Sequence, residues 1–301
     1  MLIMRRSPRK QKLFLKSMPM VLVCLLLAQF PGAAQAATKM LMINPVRMIF
    51  TDRQRSITAN VINTSQESIT YKLSLVTMRK GANGKLYKPE TETEEEQMVK
   101  KMIRFAPRRA TIEAGKRQVV KLMVRKPREL PRGEYQTRLR LTPLSTDKSS
   151  SAKVDNSERT GTAIDLDIIV ESTFPIIIQH GGLTADVAPQ AIAVKDFPQA
   201  PAGIAAVVSF SRSGDGSAFG NVFLRFIPND RPGDSREIGR SQGVAIYLPD
   251  TEKTVTIPLT GINRQELSTG TVRVEYQPGT GIVTRRKQKH GSQGVVRDFA
   301  M

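Results

Sequence analysis

Apolar and polar residues alternate along most of this chain. The pattern is clearest where Ile69, Tyr71, Leu73 and Leu75 would share one face of an extended strand. Such runs are short and are separated by Asn, Gly, Pro and Asp, which predicts β-strands joined by turns. The predicted strands are residues 39–43 and 46–50 (two halves of one strand), 56–63, 69–78, 102–107, 110–112, 117–125, 134–142, 163–178, 204–210, 220–227, 243–248, 254–259 and 271–276.

No segment shows a convincing helical period. Residues 90–101 are a charged run in which glutamates precede two lysines, and we interpret them as a solvated loop or a short helical turn. A calcium loop would need Asp, Asn and Gly at regular spacing, which this run lacks. The sequence therefore predicts no metal site here.

The segment 163–171 organises the rest of the chain. Its apolar residues Ile164, Leu166, Ile168 and Val170 would lie on one strand face, and a polar run at 145–161 precedes it. That run is longer than most connections inside a compact domain. Two interpretations stay open: a half-buried strand of an ordinary sandwich, or a strand whose apolar row completes the core of another protein.

The strand pattern predicts two domains. About seven short strands before residue 180, with turns every 8–12 residues or so, are typical of an immunoglobulin-like sandwich. A Gln-His-Gly-Gly hinge at 179–182 separates it from a weaker repeat of the pattern. The predicted fold class is all-β, with two immunoglobulin-like β-sandwich domains. The predicted divisions are a signal peptide (1–36), an N-terminal domain (37–180), a C-terminal β-sandwich (181–283) and a basic tail (284–301).

The first 36 residues have the features of a cleaved secretory signal peptide: a basic start, an apolar core at 20–30 and Ala-Gln-Ala at 34–36. Cys24, the single cysteine, lies within it, so the mature chain would contain no thiol. The segment contains six cations and no acid, so its removal changes the formal net charge from +19 to +13. The mature chain is still basic, which favours acidic partners or surfaces.

Few residues suggest catalysis or cofactor binding. His180 and His290 have no partner at metal-ligand spacing, and Asp165 and Asp167 are best explained as the solvated face of a strand. The glycine-rich segment 214–220 is followed by no helix that could bind phosphate. Without a nucleophile–base constellation, we expect no enzyme activity, cofactor or metal. Nucleic-acid binding is disfavoured because the cations are scattered and aromatic residues are few.

The first domain resembles the periplasmic chaperones of chaperone–usher pilus assembly. The resemblance covers about residues 40–180 and depends on six strings in this order. They are NPVRMIF (44–50), ANVIN (59–63), IRFAP (103–107), IEAGK (112–116), RQVVK (117–121) and GEYQTRLRL (133–141).

The resemblance implies a function for the segment 163–171. Chaperones of this family look like two sandwiches in an L-shaped arrangement, and they lend the last strand of the first domain to a pilin that lacks its own final strand. By this resemblance, Ile164, Leu166, Ile168 and Val170 form the donor strand. The implied partners are pilin or fimbrial subunits and an outer-membrane usher, and the implied location is the periplasm.

The family also anchors the C-terminal carboxylate of the pilin with cations. Arg47 matches the first-strand arginine of this anchor. The usual lysine on the last strand is missing, since Thr173 or Pro175 stands there, which suggests a divergent (archaic or alternative) branch. We expect Arg138 and Arg140, on the neighbouring strand, to replace it.

Two alternatives stay open. The chain could instead be a structural or adhesive two-domain surface protein, with the apolar row buried in its own fold or in a homo-oligomer. If it is a chaperone, the free protein could also cover its donor strand by forming a homodimer.

Overall fold

The computed structural model describes residues 41–81, 84–144, 171–279 and 294–301. The described residues belong to one compact unit. The described residues form two β-sandwiches, so the predicted all-β class is confirmed.

The first sandwich packs a four-stranded sheet against a five-stranded sheet. The four-stranded sheet has the order β1 (Leu41–Asn44), β3 (Ser56–Asn63), β9 (Arg117–Val124), β7 (Ile103–Ala106). The five-stranded sheet has the order β2 (Met48–Phe50), β11 (Ser172–His180), β10 (Gly133–Leu144), β4 (Ile69–Val76), β8 (Arg109–Ile112). A small hairpin pairs β5 (Arg79–Lys80) with β6 (Leu86–Tyr87). Met48, Phe50, Tyr71, Leu139 and Ile176 are fully buried between the two large sheets.

The chain changes sheets at two prolines. Pro45 separates β1 from β2, and Pro107 separates β7 from β8; in both cases the strands before and after the proline belong to different sheets. Proline has no N–H to donate to a ladder, so strand pairing stops there. The two predicted halves at 39–43 and 46–50 are therefore strands of different sheets.

Residues 90–101 contain a helix, although the sequence shows no helical period. Helix α1 (Glu94–Met102) begins with a capping box, in which Thr93 and Glu96 each accept a hydrogen bond from the other's backbone N–H. Acidic residues in the first turn and lysines in the last turn stabilise the helix by interacting favourably with its dipole. Only Val99 and Met102 are buried, which is too few apolar positions to produce a recognisable period.

The second sandwich has a three-stranded and a four-stranded sheet around Phe210, Leu224, Phe226 and Val274. The first has the order β12 (Ala185–Asp196), β13 (Ile204–Gly214), β16 (Glu252–Pro258). The second has the order β15 (Arg236–Ile246), β14 (Ala218–Pro228), β17 (Gly270–Pro278), β18 (Val295–Ala300). A 3-10 turn (Pro232–Asp234) and helix α2 (Arg264–Leu267) complete the described elements.

The second sandwich extends beyond residue 283, where the sequence analysis ended it. Strand β18 pairs with β17, with Phe299 opposite Val272, and Phe299 and Met301 pack against the core. Residues 294–301 are therefore part of the sheet rather than a basic tail. The strand is short and its residues are mostly exposed, so its alternation is weak. The basic cluster at 285–290 lies outside the described residues.

Candidate functional site

The outer face of the five-stranded sheet, opposite its core face, contains the three predicted anchor residues. Arg138 lies directly across from Pro175 of β11, and Arg140 lies across from Thr173. Strand β2 is parallel to β11 with Met48 beside Ile176, so Arg47 comes one residue earlier, at the level of Pro175. Arg47 itself lies in the bend immediately before β2. We call Arg47, Arg138 and Arg140 the guanidinium row.

The second sandwich holds the Arg47 side chain. Its Nε donates to the Tyr247 hydroxyl at 2.7 Å, and its Nη2 donates to the Gly243 carbonyl at 2.6 Å. The guanidinium carbon also lies 5.9 Å from the ring centres of both Phe219 and Tyr247. Cation–π attraction adds to the two hydrogen bonds at these distances.

The groups that hold Arg47 are themselves fixed. The rings of Phe219 and Tyr247 meet edge to face at 5.8 Å. Gly243 has a φ of +66°, a conformation that glycine adopts without strain, and its N–H donates to Asn221 at 3.0 Å. Below them, Ile49 and Ile177 of the sheet pack on Phe219 and Ala245, and we call these four residues the joint cluster.

Arg138 is held by β11. Its Nε donates to the Thr173 hydroxyl at 3.0 Å and its Nη2 to the Thr173 carbonyl at 3.1 Å. Burial lowers the pKa of the Arg138 guanidinium from its ordinary value, while the nearby Tyr247 hydroxyl opposes that change. An arginine remains charged at neutral pH even so. Within the described residues, neither Arg47 nor Arg138 forms an ion pair with a carboxylate.

Arg140 has a different environment. Its Nε donates to the Ser74 hydroxyl at 3.1 Å, and its Nη1 lies 3.6 Å from a carboxylate oxygen of Glu171. The other Glu171 oxygen accepts a hydrogen bond from Thr142 at 2.6 Å. Because a carboxylate partly neutralises Arg140, we rank it below Arg47 and Arg138 as an anion-binding residue.

The sequence analysis placed Thr173 or Pro175 where the resemblance implies a lysine. Pro175 is paired with Arg138 in the ladder of β10 and β11, at the level of Arg47, and it supplies no charge. The sequence analysis did not identify Tyr247 or Gly243, which contact Arg47 from 200 and 196 residues away along the chain. No local sequence pattern connects residues so far apart.

A carboxylate strengthens the contact between the sandwiches beside this row. Glu134 accepts hydrogen bonds from the Ser217 N–H at 2.8 Å and from the Ser217 hydroxyl. Gln136 and Gln179 donate to the same carboxylate at 2.7 and 3.2 Å. An ion pair between Lys80 and Asp250 at 2.6 Å adds a further contact between the two sandwiches.

The predicted donor residues Ile164, Leu166, Ile168 and Val170 lie outside the described residues. In the part of the chain that the structure describes, no group of three or more His, Cys, Asp or Glu side chains could hold a metal ion. No helix in the same ranges is long and apolar enough to cross a membrane.

Comparisons with known proteins give matches among solved structures. No family model matches the chain, and no curated protein matches it by sequence. The class 5 fimbriae chaperone CfaA is 12% identical with a TM-score of 0.40, covering 86% of this chain and 98% of that one. The CupB2 chaperone of Pseudomonas aeruginosa is 14% identical with a TM-score of 0.36, covering 86% and 100%. The chaperone–adhesin complex CsuC–CsuE, from archaic Csu pili of Acinetobacter baumannii, gives 10% identity and a TM-score of 0.37, covering 86% and 97%. These three solved structures contain fimbrial or pilus chaperones.

Proposed function

We propose that this chain is a periplasmic chaperone that binds pilin subunits by donor-strand complementation and delivers them to an outer-membrane usher. The observation that carries the proposal is an edge of β11 that pairs with no other described strand. A strand added along this edge would end near Arg47. The sequence motifs of the first domain and the predicted signal peptide favour the same function.

The open position follows from the lengths of the strands. Strand β2 pairs with β11 only from Ile176 to Ile178, whereas β11 begins at Ser172. Among the described residues, the segment from Ser172 to Pro175 pairs on one side only, with β10. Backbone groups along such an edge can accept an added strand from another polypeptide.

The direction of β2 indicates how the added strand would end. Because β2 is parallel to β11, a pilin strand in the same position and direction would point its C-terminus at the start of β2. Arg47 lies there, with Arg138 two strands away at the same level. A guanidinium can bind a terminal carboxylate through paired charge-assisted hydrogen bonds.

The donor row fits the same geometry. On β11, Ile176 and Ile178 face the core, and Phe174 packs against it. The residues Ile164, Leu166, Ile168 and Val170 share their even spacing. In the proposed complex they lie on that face of the extended strand and fill the groove of the pilin, while the guanidinium row lies on the opposite face. Four such side chains provide a gross gain of about 6–12 kcal/mol, which association costs of about 4–15 kcal/mol largely offset.

Co-expression with a pilin subunit of the same host tests the donor strand. The double substitution Leu166→Asp, Ile168→Asp should abolish recovery of the complex, because two charges would enter an apolar groove. The matched control, Asp165→Ser with Asp167→Ser, changes the other face and should leave the yield unchanged. Equal yields from both double variants would refute the assignment of the donor strand.

The anchor requires a separate test. Arg47→Ala should weaken pilin capture about 10-fold or more, since hydrogen bonds to a charged group contribute about 1.5–3 kcal/mol. Arg104→Ala, an exposed arginine of the other sheet, is the control. If both variants capture pilin equally well, Arg47 is not part of the anchor.

A further inference from the structure

We propose that the second sandwich supplies part of the carboxylate site: Tyr247 orients Arg47 and donates its own hydroxyl hydrogen to the bound carboxylate. This inference rests on the proposed function, because it concerns the same anchor. It assigns Tyr247 the place that a strand cation would have, since Pro175 leaves that position uncharged.

The hydrogen bonds of Arg47 show which of its N–H donors remain available to a ligand. A guanidinium has five N–H donors, of which Nε–H and one Nη2–H are used by Tyr247 and Gly243. Both Nη1 hydrogens and the second Nη2 hydrogen have no hydrogen bond to another described residue. The second sandwich therefore fixes one edge of the guanidinium and leaves the Nη1–Nη2 edge for a bidentate anion.

The hydroxyl of Tyr247 can donate a hydrogen bond to a ligand. A phenolic hydroxyl both accepts and donates. Its oxygen accepts from Arg47 Nε at 2.7 Å, so its hydrogen is directed elsewhere. Among the described residues the hydroxyl donates no hydrogen bond. Tyr247 is thus placed beside Arg47, which has no ion-pair partner among the described residues, with a hydroxyl hydrogen available to an anion that Arg47 attracts.

The packing around Tyr247 restricts the movement of its side chain. Its ring meets Phe219 edge to face and packs against the joint cluster. A side chain held in this way loses little freedom when a ligand binds, so the hydrogen bonds it makes contribute more to affinity. A flexible lysine would lose more rotamer freedom on binding.

Two measurements test the inference, and the first needs no partner. In the wild-type protein, the Arg47 Nε–H should exchange slowly with solvent, as observed by arginine side-chain NMR. In Tyr247→Phe it should exchange at least about 10-fold faster, because its acceptor is gone while the ring remains. Tyr87→Phe, which removes a hydroxyl from an exposed tyrosine, is the matched control. Unchanged exchange in Tyr247→Phe would overturn the role of Tyr247 in orienting Arg47.

The second measurement is the preference for a carboxylate. The probe is a fluorescein-labelled peptide of alternating Val and Ser, made once with a free C-terminal carboxylate and once with a C-terminal amide. The wild-type protein should bind the acid more tightly, and Tyr247→Phe should reduce the acid-to-amide ratio of affinities about 5-fold. Binding of the amide should stay the same, which a merely structural role of Tyr247 would not predict.

The outcomes separate the two proposals. A wild-type preference for the acid that Tyr247→Phe leaves intact would overturn this inference and leave the proposed anchor standing. Equal binding of acid and amide by the wild-type protein would overturn the anchor itself, and the contribution of Tyr247 with it.

Discussion

The two faces of the five-stranded sheet are built by different rules. The inner face is mainly apolar, and residues such as Leu139, Leu141 and Ile178 are buried by the opposite sheet of the same sandwich. The outer face carries charged and polar residues beside apolar ones, of which Ile49 and Ile177 are buried by a different sandwich. The same strands therefore serve a core on one side and a contact surface on the other.

This difference separates stability from function along each strand. Because successive side chains of a strand point to opposite faces, Leu139 packs in the core while its neighbours Arg138 and Arg140 lie in the guanidinium row. A substitution on one face should therefore affect mainly folding, and one on the other should affect mainly the joint or the partner. The predictions that follow test this separation, from the largest expected effect to the smallest.

The largest effect is expected from a pair of adjacent isoleucines. Ile176 faces the core and Ile177 faces the joint, and both are fully buried. Ile176→Ala should lower the free energy of unfolding by about 2–5 kcal/mol, because the packed core cannot close around the smaller side chain and a cavity remains. Ile177→Ala should cost about 2 kcal/mol or less, because the smaller joint cluster can close or admit water. Denaturant unfolding of both variants measures the difference, and equal costs would contradict the comparison of the two faces.

The next largest effect is expected from Glu134, which stabilises the contact between the two sandwiches. Glu134→Ala should cost about 2 kcal/mol, because the buried Ser217 N–H loses its charged acceptor. It should also increase proteolysis of the connection between His180 and Ala185, where the sandwiches are joined. Glu134→Gln keeps an acceptor and should cost clearly less. A Glu134→Ala protein with unchanged stability and proteolysis would show that this contact does not hold the joint.

The inner face could be predicted from the sequence because its pattern is local. Alternation alone places Leu139 and Leu141 on one face, and it does the same for Ile176 and Ile178. The break at Pro45 could be predicted from the chemistry of proline, but the prediction that both halves belong to one strand was wrong. The family resemblance identified Arg47 as a candidate for binding a carboxylate.

The outer face could not be predicted because its partners are distant. Tyr247 contacts Arg47 across 200 residues of sequence, and its own segment looks like any other strand end. Helix α1 is longer than the loop or short helical turn that the sequence suggested, because its capping box, rather than an apolar period, defines it. Local alternation specifies which residues share a face, but it does not specify what covers that face.

Arg138 and Arg140 provide a third test, on one strand and one face. Arg138→Ala should weaken pilin capture about 10-fold, because it removes a charge that no described carboxylate neutralises. Arg140→Ala should weaken it about 2-fold at most, since Glu171 partly neutralises that charge. Titration of a pilin subunit against both variants measures the difference. The opposite ranking would move the anchor along β10, away from Tyr247.

The smallest expected effect is the pH dependence of the stability that Asp52 contributes at the connection between the sandwiches. The Asp52 carboxylate accepts the N–H groups of Gly181 and Gly182 at 2.9 and 2.8 Å, and these bonds hold the pKa of Asp52 below its ordinary value. Lys126 and His180 lie 3.6 and 3.4 Å from the same carboxylate, and the pair with Lys126 lowers its pKa further. A lowered pKa means that the ionised form stabilises the folded state. This contribution is complete above the ordinary pKa of Asp and is lost as the pH falls through the lower, folded value.

Comparison of Asp52→Asn with the wild type isolates this contribution. At about pH 8 the variant should be less stable by about 0.5 kcal/mol, because the carboxylate is partly exposed and solvent weakens its contacts. As the pH falls through the lowered pKa of Asp52, the wild-type carboxyl becomes protonated, and the difference should shrink towards zero. Ile176→Ala should show no such convergence, because no charge is involved in its cavity. A difference between Asp52→Asn and wild type that stays constant with pH would mean that Asp52 holds the connection by shape rather than by charge, which would make the joint resemble the core.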